Sequence, residues 1–508
     1  MDGTSTVSAA AVAVAIAFTS YLVYRSISVS RSPAPLPPGP KPLPLVGNVL
    51  DLPQSQPWET FSKWGDTYGG MTFINALGQG IVVLNDPKYA IEMLDKKGLL
   101  YSDRPKLVMG GQLVGWDEGP ALIPFCDRWA EYRRLFTHFM GTKAKIEEFD
   151  HVLYEETNVF LKNLLADPRN WVEHARRLAG GLVLQLAYGY RASDPGGKEL
   201  VKVVDDAMDG FSEMTKPNAF LVDVFPILRY VPAWFPGAGW KHKAKLYREY
   251  LEEMLLAPFE LVKQQMAAGV ARPSFTQSHL DNQSHTPDKE RLIQWAAAGI
   301  YSGIEAFFLG ITIHTEEQKA AQAEIDAVIG RERLPTFADR ERLPYCEALC
   351  LEIMRRYTFG PLGLAHVSRE DDVHDGYFIP KGTIVIPNNW RFFRNPDTYS
   401  DPETFRPGRF IGSEKQFDPR KYLFGYGRRY ESSLSHPRIH LADASLWLAS
   451  VSVLAAFDVA PPVKDGKPVI PSGKFLDGGI SHPEPFECVI KPRSAAAEAL
   501  VRALPASL

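Results

Sequence analysis

The chain has 508 residues, of which 45% are apolar and 23% are charged. These ordinary globular values exclude a wholly disordered, collagen-like or coiled-coil protein. With 56 Lys and Arg against 60 Asp and Glu, the net charge of −4 provides no global basic field for binding nucleic acid.

The first segment of the chain predicts a membrane anchor. Residues 3–24 contain no charged side chain, and at 1.5 Å per residue such a helix crosses the ~30 Å hydrocarbon core of a bilayer. Arg25 and Arg31 follow it and only Asp2 precedes it. The positive-inside rule therefore predicts a single pass through the endoplasmic reticulum membrane, with the remaining chain in the cytosol. Residues 32–44 contain seven prolines and predict a stiff, extended linker.

Helical patterns dominate the remainder of the chain. They predict helices at residues 58–68, 127–140, 147–165, 175–190, 241–269 with a kink at Pro258, and 291–330 with a break at a capping-box sequence in residues 315–318. Predicted strands are few and short: 71–74, 80–84, and a hairpin of 377–379 with 383–386. The pattern predicts a mainly α fold, with one large helical domain and a minor β region over residues 45–495.

Common nucleotide and hydrolase motifs are missing from the sequence. It contains no GxGxxG and no GxxxxGK followed by Ser or Thr, so no bound dinucleotide or nucleoside triphosphate is indicated. GxSxG and HExxH are also missing. Cys346 and Cys350 are four residues apart on one predicted helix, but zinc needs two further ligands. Reduced core thiols are therefore predicted.

Four short motifs together carry a family resemblance. In chain order they are Trp129-Ala-Glu-Tyr-Arg133, Glu352-Ile-Met-Arg355, Phe405-Arg-Pro-Gly-Arg409-Phe410 and Phe424-Gly-Tyr-Gly-Arg428-Arg429. A Glu and an Arg three residues apart on a helix would mean little alone. The order and spacing of all four, with the anchor and the linker, resemble the cytochrome P450 family, specifically its membrane-bound fungal monooxygenases. The resemblance covers almost the whole chain.

The resemblance implies a haem-dependent monooxygenase with iron protoporphyrin IX as cofactor. Such an enzyme oxidises a small apolar molecule of secondary or xenobiotic metabolism with O2, and an NADPH-dependent flavoprotein reductase supplies its electrons. The lipid bilayer is a further implied partner, and nucleic acid is not.

The resemblance also assigns residues. It implies that Glu352, Arg355 and Arg409 form a buried structural triad, in which two guanidinium groups satisfy one carboxylate. It implies that Arg133 meets a haem propionate, which Trp129 shields. The implied cofactor-binding residues are Trp129, Arg133, His366, Phe424, Gly427 and Arg428. Residues 101–123 correspond to a variable loop that usually caps the substrate pocket.

The chain departs from the family pattern in the signature loop, residues 424–436. The family's loop ends in a cysteine whose thiolate binds iron and favours O–O cleavage. Counted forward from Phe424, Glu431 stands in its place; counted backward from His440, His436 does so, and about five extra residues lie between. The four cysteines lie elsewhere, at Cys126, Cys346, Cys350 and Cys488. His436 is thus the one candidate axial ligand in the printed chain.

A second departure lies in the helix that activates oxygen in the family. There an acid is followed by Thr, but here Glu305 is followed by Ala306 and Phe307, and the helix is about seven residues short. Glu305 is either the proton-relay acid without its Thr or an unrelated residue beside a removed segment. The shortened helix favours removal.

The chain follows the family pattern directly before and directly after each departure. Gradual decay of a gene would scatter substitutions along the chain, so this pattern favours misplaced exon boundaries. Three functional hypotheses remain open at this point: a monooxygenase, a catalytically inactive membrane-anchored binding protein with the P450 fold, and a haem protein with His436 as ligand. A ferrous–CO spectrum separates them. A thiolate gives a red-shifted Soret band, a histidine does not, and a protein without haem gives neither.

Overall fold

The computed structural model describes residues 33–216, 219–281, 290–291, 304–427 and 437–505. The chain forms two compact units. The first contains Met1–Pro105, Leu362–Phe392 and Tyr426–Arg429, and the second contains Lys106–Pro361, Phe393–Gly425 and Tyr430–Leu508. Helix predominates over strand, so the predicted mainly α class is confirmed.

The helices and strands are numbered in chain order. The helices are α1 Pro57–Tyr68, α2 Pro87–Tyr89, α3 Asp127–Met140, α4 Lys143–Glu147, α5 Asp150–Ala166, α6 Trp171–Tyr188, α7 Gly197–Met214, α8 Leu221–Val224, α9 Trp240–Ala267, α10 Phe275–Asp281, α11 Glu305–Ile313, α12 Thr315–Val328, α13 Pro344–Arg356, α14 Asn389–Phe392, α15 Arg420–Leu423, α16 Pro437–Ala456 and α17 Ala495–Ala503. The strands are β1 Met71–Ala76, β2 Gln79–Leu84, β3 His366–Val367, β4 Asp372–His374, β5 Tyr377–Ile379, β6 Ile384–Pro387, β7 Phe457–Ala460, β8 Val463–Lys464, β9 Lys467–Pro468 and β10 Val489–Pro492. Two π-helical turns, Ala90–Lys96 and Val108–Val114, precede α3.

Most predicted helices lie where the sequence places them. The predicted break in the longest helix is found between α11 and α12, but its capping box does not form. His314 is the N-cap residue, and its side chain does not cap the helix. The Gln318 side chain instead donates to the carbonyls of Ile311 and Val459. Helix α9 continues through Pro258. Helix α7 was not predicted, although its residues 201, 204, 207 and 211 are buried at helical spacing.

The first unit contains a four-stranded sheet with the order β1-β2-β6-β3. Strands β2 and β6 are parallel, and the other neighbours are antiparallel. The predicted hairpin of residues 377–379 with 383–386 is wrong. Strand β5 pairs with β4, whereas β6 lies between β2 and β3. Because both edges of β6 are occupied, the strand that precedes it needs another partner.

The second unit holds a large apolar core between α3, α6, α7 and α9. Two adjacent glutamates of α5, Glu155 and Glu156, are also buried in the second unit, and they differ in their surroundings. Glu155 accepts hydrogen bonds from Gln185 and Arg191 at 3.0 and 2.9 Å. The carboxylate of Glu156 occupies the space that a Cβ at position 181 would need, and Gly181 leaves this space open. Burial raises the pKa of Glu156 to about 7, against the opposing charge of Arg177.

We expect Glu156→Gln to stabilise the protein, and the gain to depend on pH. Since the pKa is raised in the folded state, ionisation costs stability above the ordinary value of 4.5, and the cost grows until about pH 7. The variant should gain about 3 kcal/mol in urea unfolding at pH 8 and little at pH 4. Glu155→Gln is the matched control, and it should lose roughly 2 kcal/mol because its ion pair breaks. Equal changes in the free energy of unfolding for the two substitutions would contradict the different environments of Glu155 and Glu156.

The predicted membrane location needs correction. Within the described part of the chain, no helix combines the length and the apolar character needed to cross a bilayer. Residues 3–24, on which the anchor was predicted, lie outside that part. The finding is against a single-pass anchor, so the predicted location in the endoplasmic reticulum membrane is withdrawn.

Candidate active site

The structure brings Glu352, Arg355 and Arg409 together in the second unit. The first two residues lie one turn apart on α13, and both Nε and Nη2 of Arg355 donate to the Glu352 carboxylate at 2.8 Å. Arg409, in the turn Pro407–Phe410, places its Nε 3.1 Å from Oε2 of Glu352. All three side chains are fully buried. One carboxylate is therefore shared by two buried guanidinium groups, which leaves one positive charge uncompensated, and each guanidinium group needs further acceptors.

Backbone carbonyls provide those further acceptors. Arg355 donates to Phe393 and Pro402 at 2.7 and 2.8 Å, and Arg409 donates to Ser400 and Thr404 at 2.6 and 2.8 Å. The irregular segment after Phe393 has little regular secondary structure of its own. The two arginines hold this segment against α13, which fixes the chain that leads into the signature loop.

Trp129 and Arg133 lie on the same side of α3. The Arg133 guanidinium carbon is 5.7 Å from the centre of the Trp129 ring, within cation–π range. Trp129 is buried and also lies 5.1 Å from the Phe125 ring. Residues four apart on a helix lie on the same face, so the sequence spacing of Trp129 and Arg133 predicts this pair. A cation therefore lies beside a buried aromatic ring.

His366 begins β3 in the first unit and is buried. Its Nδ1 lies 2.7 Å from the carbonyl oxygen of Tyr101. When that nitrogen carries the proton, the carbonyl fixes both the orientation and the tautomer of the ring.

The structure describes only the beginning of the signature loop. Phe424 follows α15 directly, and Gly427 is a buried residue with a φ of +73°. Arg428, Glu431 and His436 lie outside the described residues. The predicted roles of Arg428 at the cofactor and of His436 as axial ligand therefore stay predictions.

Glu305 begins α11 and is held by ionic contacts. Its Oε2 lies 3.1 Å from Nδ1 of His482, and its Oε1 lies 3.6 Å from Nε of Arg176. Burial opposes ionisation of Glu305, but the hydrogen bond and charge of His482, together with Arg176, outweigh it and lower the pKa of the carboxyl group. Its carboxylate is thereby held by two partners, a histidine ring and an arginine.

Sequence reasoning missed a second ionic cluster near the site. Arg340 contacts Glu347 and Asp443 at 2.8 and 2.6 Å, and Arg420 contacts the same two acids at 3.1 and 2.9 Å. The four partly buried side chains alternate in charge and join α13, α15 and α16. The partners of Asp443 are up to 103 residues away from it in the chain and show no sequence pattern.

Comparison with known proteins identifies the family. The family model described as cytochrome P450 matches residues 37–486. The chain belongs to the cytochrome P450 family. It is 46% identical over 471 residues to cytochrome P450 monooxygenase 208 of Postia placenta, covering 91% of each chain. It is 35% identical over 470 residues to the tryptamine 4-monooxygenase of Psilocybe cyanescens, covering 88% of this chain and 91% of the relative.

These matches establish the class of activity. The relatives are named as monooxygenases, so this chain is an oxidoreductase of that kind, and haem is the cofactor of the family. P450 monooxygenases generally need O2, a substrate and a reductase partner. The matches do not favour the inactive binding protein or the His-ligated haem protein.

The cysteines of the printed chain do not fit a thiolate-bound haem. Cys346 and Cys350 are buried in α13, and burial raises the pKa of Cys350 to about 12 and that of Cys346 well above its usual value. Burial also raises the pKa of Cys488 to about 12, and Cys126 is an exposed residue before α3. Among the described residues, no group of three or more His, Cys, Asp and Glu side chains is arranged to bind a metal ion.

Proposed function

We propose that this P450 monooxygenase oxidises a small apolar molecule, with electrons passed from NADPH by a separate flavoprotein reductase. A separate electron donor is required because the chain has no dinucleotide-binding motif. The relatives act in fungi, and one is named for tryptamine. For this chain we place the substrate in secondary or xenobiotic metabolism.

The segment that corresponds to the substrate-capping loop carries the proposal for an apolar substrate. Its turn Val108–Val114 is largely buried, and Met109 is fully buried. The Trp116 ring that follows lies 4.6 Å from the ring of Phe211 on α7. Gly110 lets this turn approach Met214, since a Cβ at position 110 would lie 3.3 Å from the Cβ of Met214. The turn and Trp116 thus carry thioether, indole and aliphatic groups, and the charged residues of the segment lie before and after them.

We further propose that the cofactor would be held by Trp129, Arg133, His366, Phe424, Gly427 and Arg428, in the roles that the family resemblance implies. Arg133 offers a fork of donors suited to a propionate, and the adjacent Trp129 would restrict access of water to that pair. His366 would position the strand beside the cofactor through its bond to Tyr101.

Glu305 is assigned a structural role. His482 and Arg176 already occupy its carboxylate, which supports the hypothesis that the proton-relay segment is missing from the printed chain. Residues 292–303, where that segment would join, lie outside the described part of the chain.

A chain with the family's loop spacing tests the proposed function. Deleting residues 430–434 and replacing His436 by Cys restores both the thiol and the spacing from Phe424. Inserting about seven residues, with an acid followed by Thr, between positions 300 and 308 of the same chain restores the length of the oxygen-activation helix. Purified with haem and supplied with a fungal NADPH-dependent reductase and ¹⁸O2, this variant should transfer one ¹⁸O atom to members of a panel of small apolar compounds that includes an indole amine. Omission of the reductase is the control. Haem-loaded protein that consumes NADPH and oxygenates no compound in the panel would contradict the proposal.

A further inference from the structure

Gly427 of the signature loop packs closely against a π-helical turn of the first unit. Gly427 lies so close to the π-helical turn Ala90–Lys96 that a Cβ on it would be 2.1 Å from the carbonyl oxygen of Leu94. Its φ of +73° lies in the left-handed region, which favours glycine. Backbone therefore meets backbone at this point, and the contact leaves no room for another residue type.

Two polar contacts fix the same stretch of chain. The Gly427 N–H donates to Oδ1 of Asp95, the sixth residue of that π-helical turn. The hydroxyl of Tyr426 donates to Oδ1 of Asn389 at 2.8 Å, and both side chains are almost completely buried. Asn389 begins α14, so the contacts reach two separate elements of the unit.

We propose that Asp95 and Asn389 are positioning residues that set where the signature loop leaves the fold. Because hydrogen bonds hold two consecutive residues, Tyr426 and Gly427, they restrict the direction in which the following residues leave this unit. The inference rests on the proposed function only in treating this loop as the one that presents the axial ligand. The contacts themselves form without haem, and their test does not need it.

Amide hydrogen exchange of the full-length chain tests the proposal. In Asp95→Ala the Gly427 amide loses its acceptor, and exchange in peptides that contain it should become about tenfold faster, the equivalent of one hydrogen bond. Asp95→Asn keeps an acceptor oxygen and should restore most of the protection. Tyr426→Phe should accelerate exchange of the same peptides while the melting temperature stays close to that of the parent.

Asp375→Ala is the matched control. Asp375 is another acid of the first unit and accepts the Tyr89 hydroxyl, so its loss should leave exchange at Gly427 unchanged. Parental exchange in Asp95→Ala, or acceleration spread evenly over the unit, would overturn the proposal. If Asp95→Ala does not fold, the same exchange measurement is made on Asp95→Asn and Tyr426→Phe. An exchange rate at Gly427 in Tyr426→Phe that equals the parent's rate would overturn the proposal.

Discussion

Glu352→Gln is expected to destabilise the second unit by about 3–5 kcal/mol, a large share of the free energy of unfolding of about 5–15 kcal/mol that is typical of proteins. The substitution leaves two fully buried guanidinium groups without their shared countercharge. Arg355 and Arg409 keep their carbonyl acceptors, but those acceptors are neutral. Urea unfolding, or the soluble yield when the variant does not fold, measures the effect.

Glu347→Gln provides the control on the same helix. Glu347 also contacts two arginines, Arg340 and Arg420, but its side chain is 26% exposed and solvent screens it. We expect its replacement to cost less than about 1 kcal/mol. A Glu352 variant that loses no more stability than the Glu347 variant would show that the triad does not hold the fold.

The second large effect concerns haem ligation. We expect the printed chain to give no red-shifted ferrous–CO Soret band, because its four cysteines lie outside the signature loop. The variant without residues 430–434 and with His436→Cys should give that band. The same deletion with His436 retained is the matched control and should not. A red-shifted band from the printed chain itself would contradict the expectation, because some other thiolate would then have to reach the iron.

The sequence predicted those features whose cause is local. Helix α3 begins and ends where the pattern of apolar residues places it, at Asp127 and Met140. Glu352 and Arg355 pair because three residues bring side chains to one helix face. Arg409 joins them from 54 residues beyond Arg355, so that contact could be expected only from the family resemblance.

Features that depend on distant partners were not predictable from one sequence. The contact of Asp95 with Gly427 spans 332 residues. The predicted hairpin failed because turn residues indicate where a strand ends but not which strand it pairs with. Glu155 and Glu156 are adjacent and identical in type, yet only the tertiary packing of Gln185, Arg191 and Gly181 gives them different environments.

The contacts around the two departures from the family pattern are intact, and this bears on the origin of the departures. Arg340, Glu347, Arg420 and Asp443 still join the helices on either side of the signature loop. The triad is complete, and Gly427 retains its close backbone contact with Leu94. Random decay would have damaged such contacts as readily as the ligand position. We therefore propose that the working protein contains the two pieces that the printed chain lacks.

Sequencing the native transcript across both regions tests this account most directly. We predict that it encodes a cysteine shortly before the segment Arg438–Ala444, and about seven further residues, including an acid followed by Thr, between positions 300 and 308. A transcript that reads Tyr430-Glu-Ser-Ser-Leu-Ser-His436 as printed, with Glu305 following Ile304 directly, would contradict it.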